Sequence, residues 1–268
     1  MGIVAAVLLA STCAHGQIEV KVFGEQADGG IVIYANSQAL CPVSAKLEFD
    51  LTNMETVEPL ADFYVIPAGA EKFKIVQLRP KDIKKAVGYR SRIEEVLGDV
   101  GIKSEDKTYV YDLPFEKNAR YGVFQGYNGM ASHQNQFALD FAMPEGTSVL
   151  AAREGTVVRV EKSNTKSCPK PECGQFNNYV LVYHADGSFA EYTHLQKDGA
   201  RVKKGDKVKK GTLVGISGNT GWTSGPHLHF VCFLQRMGWR ETFPTKFRTG
   251  DGSTVEQLEE KATYDRKY

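Results

Sequence analysis

The sequence predicts a mainly β protein, with a small sandwich-like domain followed by a second β domain. Three observations point there. The 268 residues include 26 glycines and 10 prolines, which favour turns over long helices. Valine and tyrosine are frequent, as strands prefer. Short runs alternate apolar and polar residues, the pattern of half-buried strands. The chain is long enough for one large core or two modest ones.

The first element is the apolar run Ile3 to Ala10, too short to span a bilayer. Small residues from Ala10 to Ala14 and the polar Gln17 follow it, so residues 1–16 read as an export signal, although no Lys or Arg precedes the run. A lipidated Cys13 is the rival reading. Residues 17–117 form the first predicted domain. Its strand-like stretches are Ile18 to Phe23, Ile31 to Tyr34 and Ala45 to Leu51, while Lys81 to Leu97 fits either a helix or two strands around Gly88. The domain boundary is expected within about ten residues of Asn118 by linker composition. The second domain runs over 118–247, and the polar tail 248–268 is expected to pack loosely. Pro144-Glu145-Gly146-Thr147 and Lys209-Lys210-Gly211-Thr212 echo one another, each opening a strand-like segment. No membrane span is expected in the mature chain.

A formal net charge of +1 gives no global field toward nucleic acid or a membrane surface. With the signal removed, Cys41, Cys168, Cys173 and Cys232 remain. Cys168 and Cys173 lie in C-P-K-P-E-C, where two prolines stiffen a loop that a disulfide would close. A zinc knuckle is the rival there, but it lacks a second ligand pair nearby. Cys41 and Cys232 fit either a bridge or buried thiols.

The chemistry gathers around histidine. His227-Leu228-His229 enters the apolar run Phe230 to Phe233, and on a strand the two rings share one face about 7 Å apart. Asp140 sits between Leu139 and Phe141, where a carboxylate is normally paired or bound to a metal. His133 precedes it at loop-closing distance. His194, in Glu191-Tyr192-Thr193-His194-Leu195, ends a strand-like run and by itself is as easily a core histidine. His184, in Tyr183-His184-Ala185-Asp186-Gly187, reads as an exposed turn residue.

In that order, His133, Asp140, His194 and His227-x-His229 resemble the lysostaphin/LytM-type zinc metallopeptidases, peptidoglycan endopeptidases of the duplicated hybrid motif fold. The matching stretches are S-H-Q-N-Q-F-A-L-D-F-A-M-P-E-G-T, E-Y-T-H-L and S-G-N-T-G-W-T-S-G-P-H-L-H-F. The spacing between His133 and Asp140 is longer than in many members. The resemblance implies that His133, Asp140 and His229 hold one zinc ion per chain and that His194 and His227 are the catalytic, non-ligand pair. It further implies hydrolysis of amide bonds in peptidoglycan stem peptides or cross-bridges, and a periplasmic or extracellular, wall-associated location. Three protein donors would leave a fourth zinc position open. No H-E-x-x-H helix is present, which excludes a glutamate base of that type.

Ser217 to Pro226 is glycine-rich but leads into a strand, so it does not suit a phosphate cradle. Small residues there would let an extended peptide approach, with Trp222 and Asn219 as candidate groove residues. The basic stretch Arg201 to Lys210 reads as a solvated hairpin, with attraction to an anionic polymer as the alternative. Its V-K-K-G-D-K-V-K-K-G is also similar to lipoyl and biotinyl carriers, which have no use for the histidines. A degenerate, activating relative would lack ligands, whereas all five positions are filled here.

Overall fold

The computed structural model describes residues 19–268, so the export-signal reading of residues 1–16 and the Cys13 alternative lie outside the described residues. The chain is mainly β. No helix among the described residues is long and apolar enough to cross a membrane.

It divides into two compact units: residues up to Gly101 with Arg236–Trp239, and Ile102–Gln235 with Arg240–Tyr268. The break therefore falls ahead of the Asn118 region that linker composition suggested. The reason is packing: Val110–Asp112 pairs in parallel with Lys246–Thr249, and Leu113 and Phe115 are fully buried in the second unit's core.

In the first unit one sheet orders Val20–Ala27, Gly30–Ser37, Phe73–Pro80 and Met54–Thr56, and a second places Val43–Thr52 between Tyr64–Ile66 and Gly88–Leu97. Residues of both sheets, among them Ile33, Val76 and Leu78 from one and Val43, Ala45 and Ile66 from the other, share one core. The ambiguous stretch resolves as a single strand. Gly88 opens it opposite Thr52, and inward Tyr89, Ser91 and Ile93 alternate with exposed Arg90, Arg92 and Glu94, a period-two pattern no helix supports.

The second unit is organised by a nine-stranded antiparallel sheet. Its path runs Lys207–Val208, Gly155–Glu161, Tyr179–Tyr183, Phe189–Thr193, Leu228–Arg236, Ala138–Phe141, Arg120–Gln125 and Thr263–Asp265, with Trp239–Thr242 added beside Leu228–Arg236. The segment echo has a structural meaning. Ser148–Leu150 and Leu213–Ile216, the strands it opens, pair with each other, and Gly146 and Gly211 both take left-handed φ at their entries (84° and 79°). The expected loose tail is integral instead: Thr263–Asp265 closes the sheet edge, and Tyr264 and Arg266 are buried. Arg266 donates to the carbonyls of Leu113 and Phe115, giving this polar segment its partners inside.

Candidate metal centre

Register brings the site together. Asp140 on Ala138–Phe141 lies directly across from His229 on one side and Gln125 on the other, and Thr193 faces His229 from the next strand. One row across four strands thus reads Gln125, Asp140, His229, Thr193. His227 precedes His229 by two residues and projects to the same face.

His133 arrives from a loop rather than a strand. The stretch between Gly126 and Ala138 folds into tight turns, with His133 N–H donating to Gly129 O, Gln136 N–H to His133 O and Asn128 N–H to Gln136 O. Left-handed Asn128 and Asn135 permit those reversals. The longer His133–Asp140 spacing is taken up there, and the ring is 1% exposed.

The three side chains converge. One donor atom from each of His133, Asp140 and His229 lies within 4.8 Å of the others. His229 Nδ1 stands 2.9 Å from Asp140 Oδ1 and 3.2 Å from His133 Nε2, and His133 Nε2 is 3.3 Å from Asp140 Oδ2. His133 Nδ1 faces the Gly126 carbonyl at 3.0 Å, so it must carry the proton, and Nε2 offers its lone pair to the cluster. Burial opposes ionisation of Asp140, but the His133 and His229 imidazoles beside it hold its carboxyl well below the usual range. Burial lowers the His133 pKa, yet the Asp140 hydrogen bond and charge outweigh it and the net shift is upward.

His194 and His227 stand beside this trio, their ring centroids 4.5 Å apart. His194 has left-handed φ (65°) where its strand ends, and its Nδ1 donates to Thr220 O at 2.7 Å. His227 Nδ1 donates to Gly225 O at 2.8 Å. In both rings Nε2 is left as the acceptor, and His227 Nε2 lies 3.7 Å from Asp140 Oδ1. Burial, with the nearby His227 and His229 charges, pushes His194 down to about 3, and burial lowers His227 as well. The edge of Phe124 packs on the His227 ring at 5.3 Å.

All five residues line a groove of about 610 Å³, together with Phe124, Met130, Pro169, Pro171 and Trp222. Asn219 is absent from that lining. Its Oδ1 accepts the Thr223 hydroxyl at 2.9 Å, so the amide shapes the glycine-rich loop from within. Gln125 escaped the sequence reading: its Nε2 donates to Asp140 Oδ2 at 2.8 Å and its Oε1 accepts from Ala131 and Ser132 N–H, tying the carboxylate to the His133 loop. Only its register opposite Asp140 reveals it. Cys168 and Cys173 form a disulfide, while Cys41 and Cys232 are buried thiols.

His184 is corrected. It is fully buried, its Nδ1 donating to Glu154 O at 2.7 Å, because Ser188 and Gly187 fold the hairpin back over it. In the basic stretch, Lys207 Nζ donates to Thr156 Oγ1 and Lys210 Nζ to Val110 O, so two of its cations are structural.

A mainly β unit with a convergent His2Asp cluster and two further imidazoles has the donor set of a metallohydrolase. Residues 134–238 match Peptidase family M23. The chain is similar to peptidoglycan DD-endopeptidase ShyA of Vibrio cholerae, 43% identical over 96 residues that make up 36% of this chain and 20% of that protein. It is similar also to glycyl-glycine endopeptidase ALE-1 of Staphylococcus capitis, 38% identical over 125 residues, 46% of this chain and 29% of that protein. The match thus spans less than a third of either relative's length. Among solved structures, a mutant catalytic domain of the prophage-encoded M23 protein EnpA from Enterococcus faecalis is 28% identical, covering 46% of this chain and 87% of that one, with a TM-score of 0.36.

Proposed function

We propose that this protein is a zinc-dependent endopeptidase that hydrolyses amide bonds in peptidoglycan stem peptides or cross-bridges. The observation that carries the reading is a buried carboxylate with no fixed cation. Asp140 is 3% exposed, and its ion-pair partners among the described residues are imidazoles only. A buried charge in that setting calls for a compensating cation. His133 Nε2, the Asp140 carboxylate and His229 Nδ1 would hold it, a nitrogen–oxygen set that suits zinc and leaves one position open. When bound, zinc would supply Lewis-acid polarisation of the scissile carbonyl and lower the pKa of a water molecule.

The remaining chemistry belongs to His194 and His227. Their Nδ1 protons are committed to backbone carbonyls, which fixes the tautomer and presents a basic Nε2 to the groove. One Nε2 takes a proton from the attacking water as the carbon–oxygen bond forms. The imidazolium so made hydrogen-bonds the developing oxyanion, and a proton passes to the amine nitrogen as the carbon–nitrogen bond breaks. The two rings divide these duties at 4.5 Å, close enough for both to reach one tetrahedral centre.

Relatives named as a peptidoglycan DD-endopeptidase and a glycyl-glycine endopeptidase support the substrate class. The disulfide supports an oxidising, extracytoplasmic location. The test is metal analysis together with digestion of purified wall by the wild type, His229→Ala and His227→Ala. One zinc per chain in the wild type, none in His229→Ala, and full zinc with little digestion in His227→Ala are expected. Full digestion by His227→Ala would sink the catalytic assignment.

A further inference from the structure

The Cys168–Cys173 loop lies beside the groove, and its connections lead back to the residues of the site. Pro169 and Pro171 line the groove beside Trp222. Ser167–Cys168 pairs in parallel with Gly221–Trp222. Thr223 N–H donates to Cys168 O at 3.1 Å, Gly221 N–H to Lys166 O at 2.8 Å and Trp222 N–H to Asn177 Oδ1 at 3.1 Å. At the loop's far end, Asn178 N–H donates to Thr220 Oγ1, whose own proton goes to Leu195 O, and the Thr220 carbonyl receives the His194 imidazole. The fit is tight at Gly221, which has a φ of 83°: a Cβ there would collide with Asn177 Oδ1.

We propose that this disulfide-closed loop is a specificity wall, rigid in the oxidised protein, that admits peptides with small residues beside the scissile amide and turns away bulky ones by shape. The inference rests on the peptidase reading above. Two prolines with fixed φ and a disulfide, added to that ladder of attachments, leave the loop little freedom to recede. The surface the loop offers to the groove is two proline rings beside the Trp222 indole, and it carries no charge. Discrimination by such a wall follows volume, and each excluded methylene group is worth roughly tenfold or more in kcat/KM.

The experiment compares two synthetic cross-linked peptides, one with glycine or alanine beside the scissile amide and one with leucine. They are presented to the full zinc-loaded protein, to the same protein after reduction with a phosphine, and to the Cys168→Ser/Cys173→Ser variant. The oxidised parent is expected to prefer the small peptide by roughly tenfold or more in kcat/KM. Reduction or the double variant should collapse that preference to within about threefold, the change residing in KM for the leucine peptide while zinc content stays at the parent's level. If the double variant does not fold, Pro169→Gly/Pro171→Gly with the disulfide intact should collapse it likewise. An unchanged preference, or a fall in kcat that tracks zinc loss, overturns the wall. A parent that cleaves neither peptide overturns the peptidase reading, and the wall falls with it.

Discussion

The second unit holds two clusters built from the same residue types, and they differ in what faces the carboxylate. Around Asp140, four imidazoles and an amide surround a carboxylate at the floor of the groove. Around Asp186, Arg153 Nη1 supplies the counter-charge at 2.8 Å and also reaches Tyr111 OH at 3.2 Å, with its guanidinium 3.9 Å above the Tyr109 ring. His184 completes that second cluster, sealed, its Nε2 without a hydrogen-bond partner among the described residues. The presence of a guanidinium separates them. Asp186 is neutralised from within, so its neighbourhood is finished, whereas Asp140 is faced by imidazoles where a cation would sit. A histidine beside a carboxylate therefore says little until the fixed charges around it are known.

The largest effect should come from breaking the Asp140 cluster. His229→Ala removes a donor from both Asp140 and any bound ion, and zinc by elemental analysis should drop to background with wall digestion lost by on the order of 10³-fold or more. Next comes His227→Ala, which leaves all three donors intact. Zinc should stay stoichiometric while kcat falls by about 10²- to 10⁴-fold, the span of a positioned acid–base group. Zinc loss there would show that His227 belongs among the ligands.

A smaller effect is expected at Gln125, which holds Asp140 without touching the groove chemistry. Gln125→Ala should weaken zinc roughly 10- to 100-fold in competition with a chelator, with kcat restored at saturating metal. Unaltered affinity would reduce Gln125 to a loop tether.

The buried His184 of the Asp186 cluster makes the opposite forecast. Burial, then the Arg153 charge, depresses His184 to about 4, against about 6.5 when unfolded. A depressed folded-state pKa means that the unfolded chain binds the proton first as pH falls. Stability is thus complete above about pH 6.5 and is lost progressively down to about 4, by roughly 3 kcal/mol at the far end. His184→Gln should lessen the slope over that stretch in denaturant titrations of the metal-free protein, where His194 and His227 also contribute, while zinc binding and digestion of the loaded protein are unchanged. A variant with the wild-type pH slope would remove His184 as the cause.

Much of the site was legible beforehand because strand periodicity leaves marks. His227 and His229 share a face by their spacing, and Asp140 betrayed itself by standing among Leu139, Phe141, Ala142 and Met143. His184 was misread for the same reason that its turn was recognised. Ala185-Asp186-Gly187 does form the hairpin, but whether a hairpin's first residue faces water depends on what folds over it. Asn219 carried the right chemistry in the right loop, and its amide turned inward to Thr223.

By itself, then, the sequence determined the mainly β character of the chain, the donor types at His133, Asp140 and His229, and the C-P-K-P-E-C loop that a disulfide closes. These rest on local spacing and residue chemistry, which a linear chain carries. Tertiary structure alone decided that Asp140 and His229 face each other across neighbouring strands, that Gln125 braces them, and that residues 102–117 and the polar tail belong to the same unit as the site. It also decided which carboxylate receives an arginine and which is faced by imidazoles alone. Those outcomes depend on register and on contacts between residues 15 to 155 positions apart in sequence, as Gln125 Nε2 to Asp140 and Leu113 N to Tyr268 are, and no local pattern encodes them.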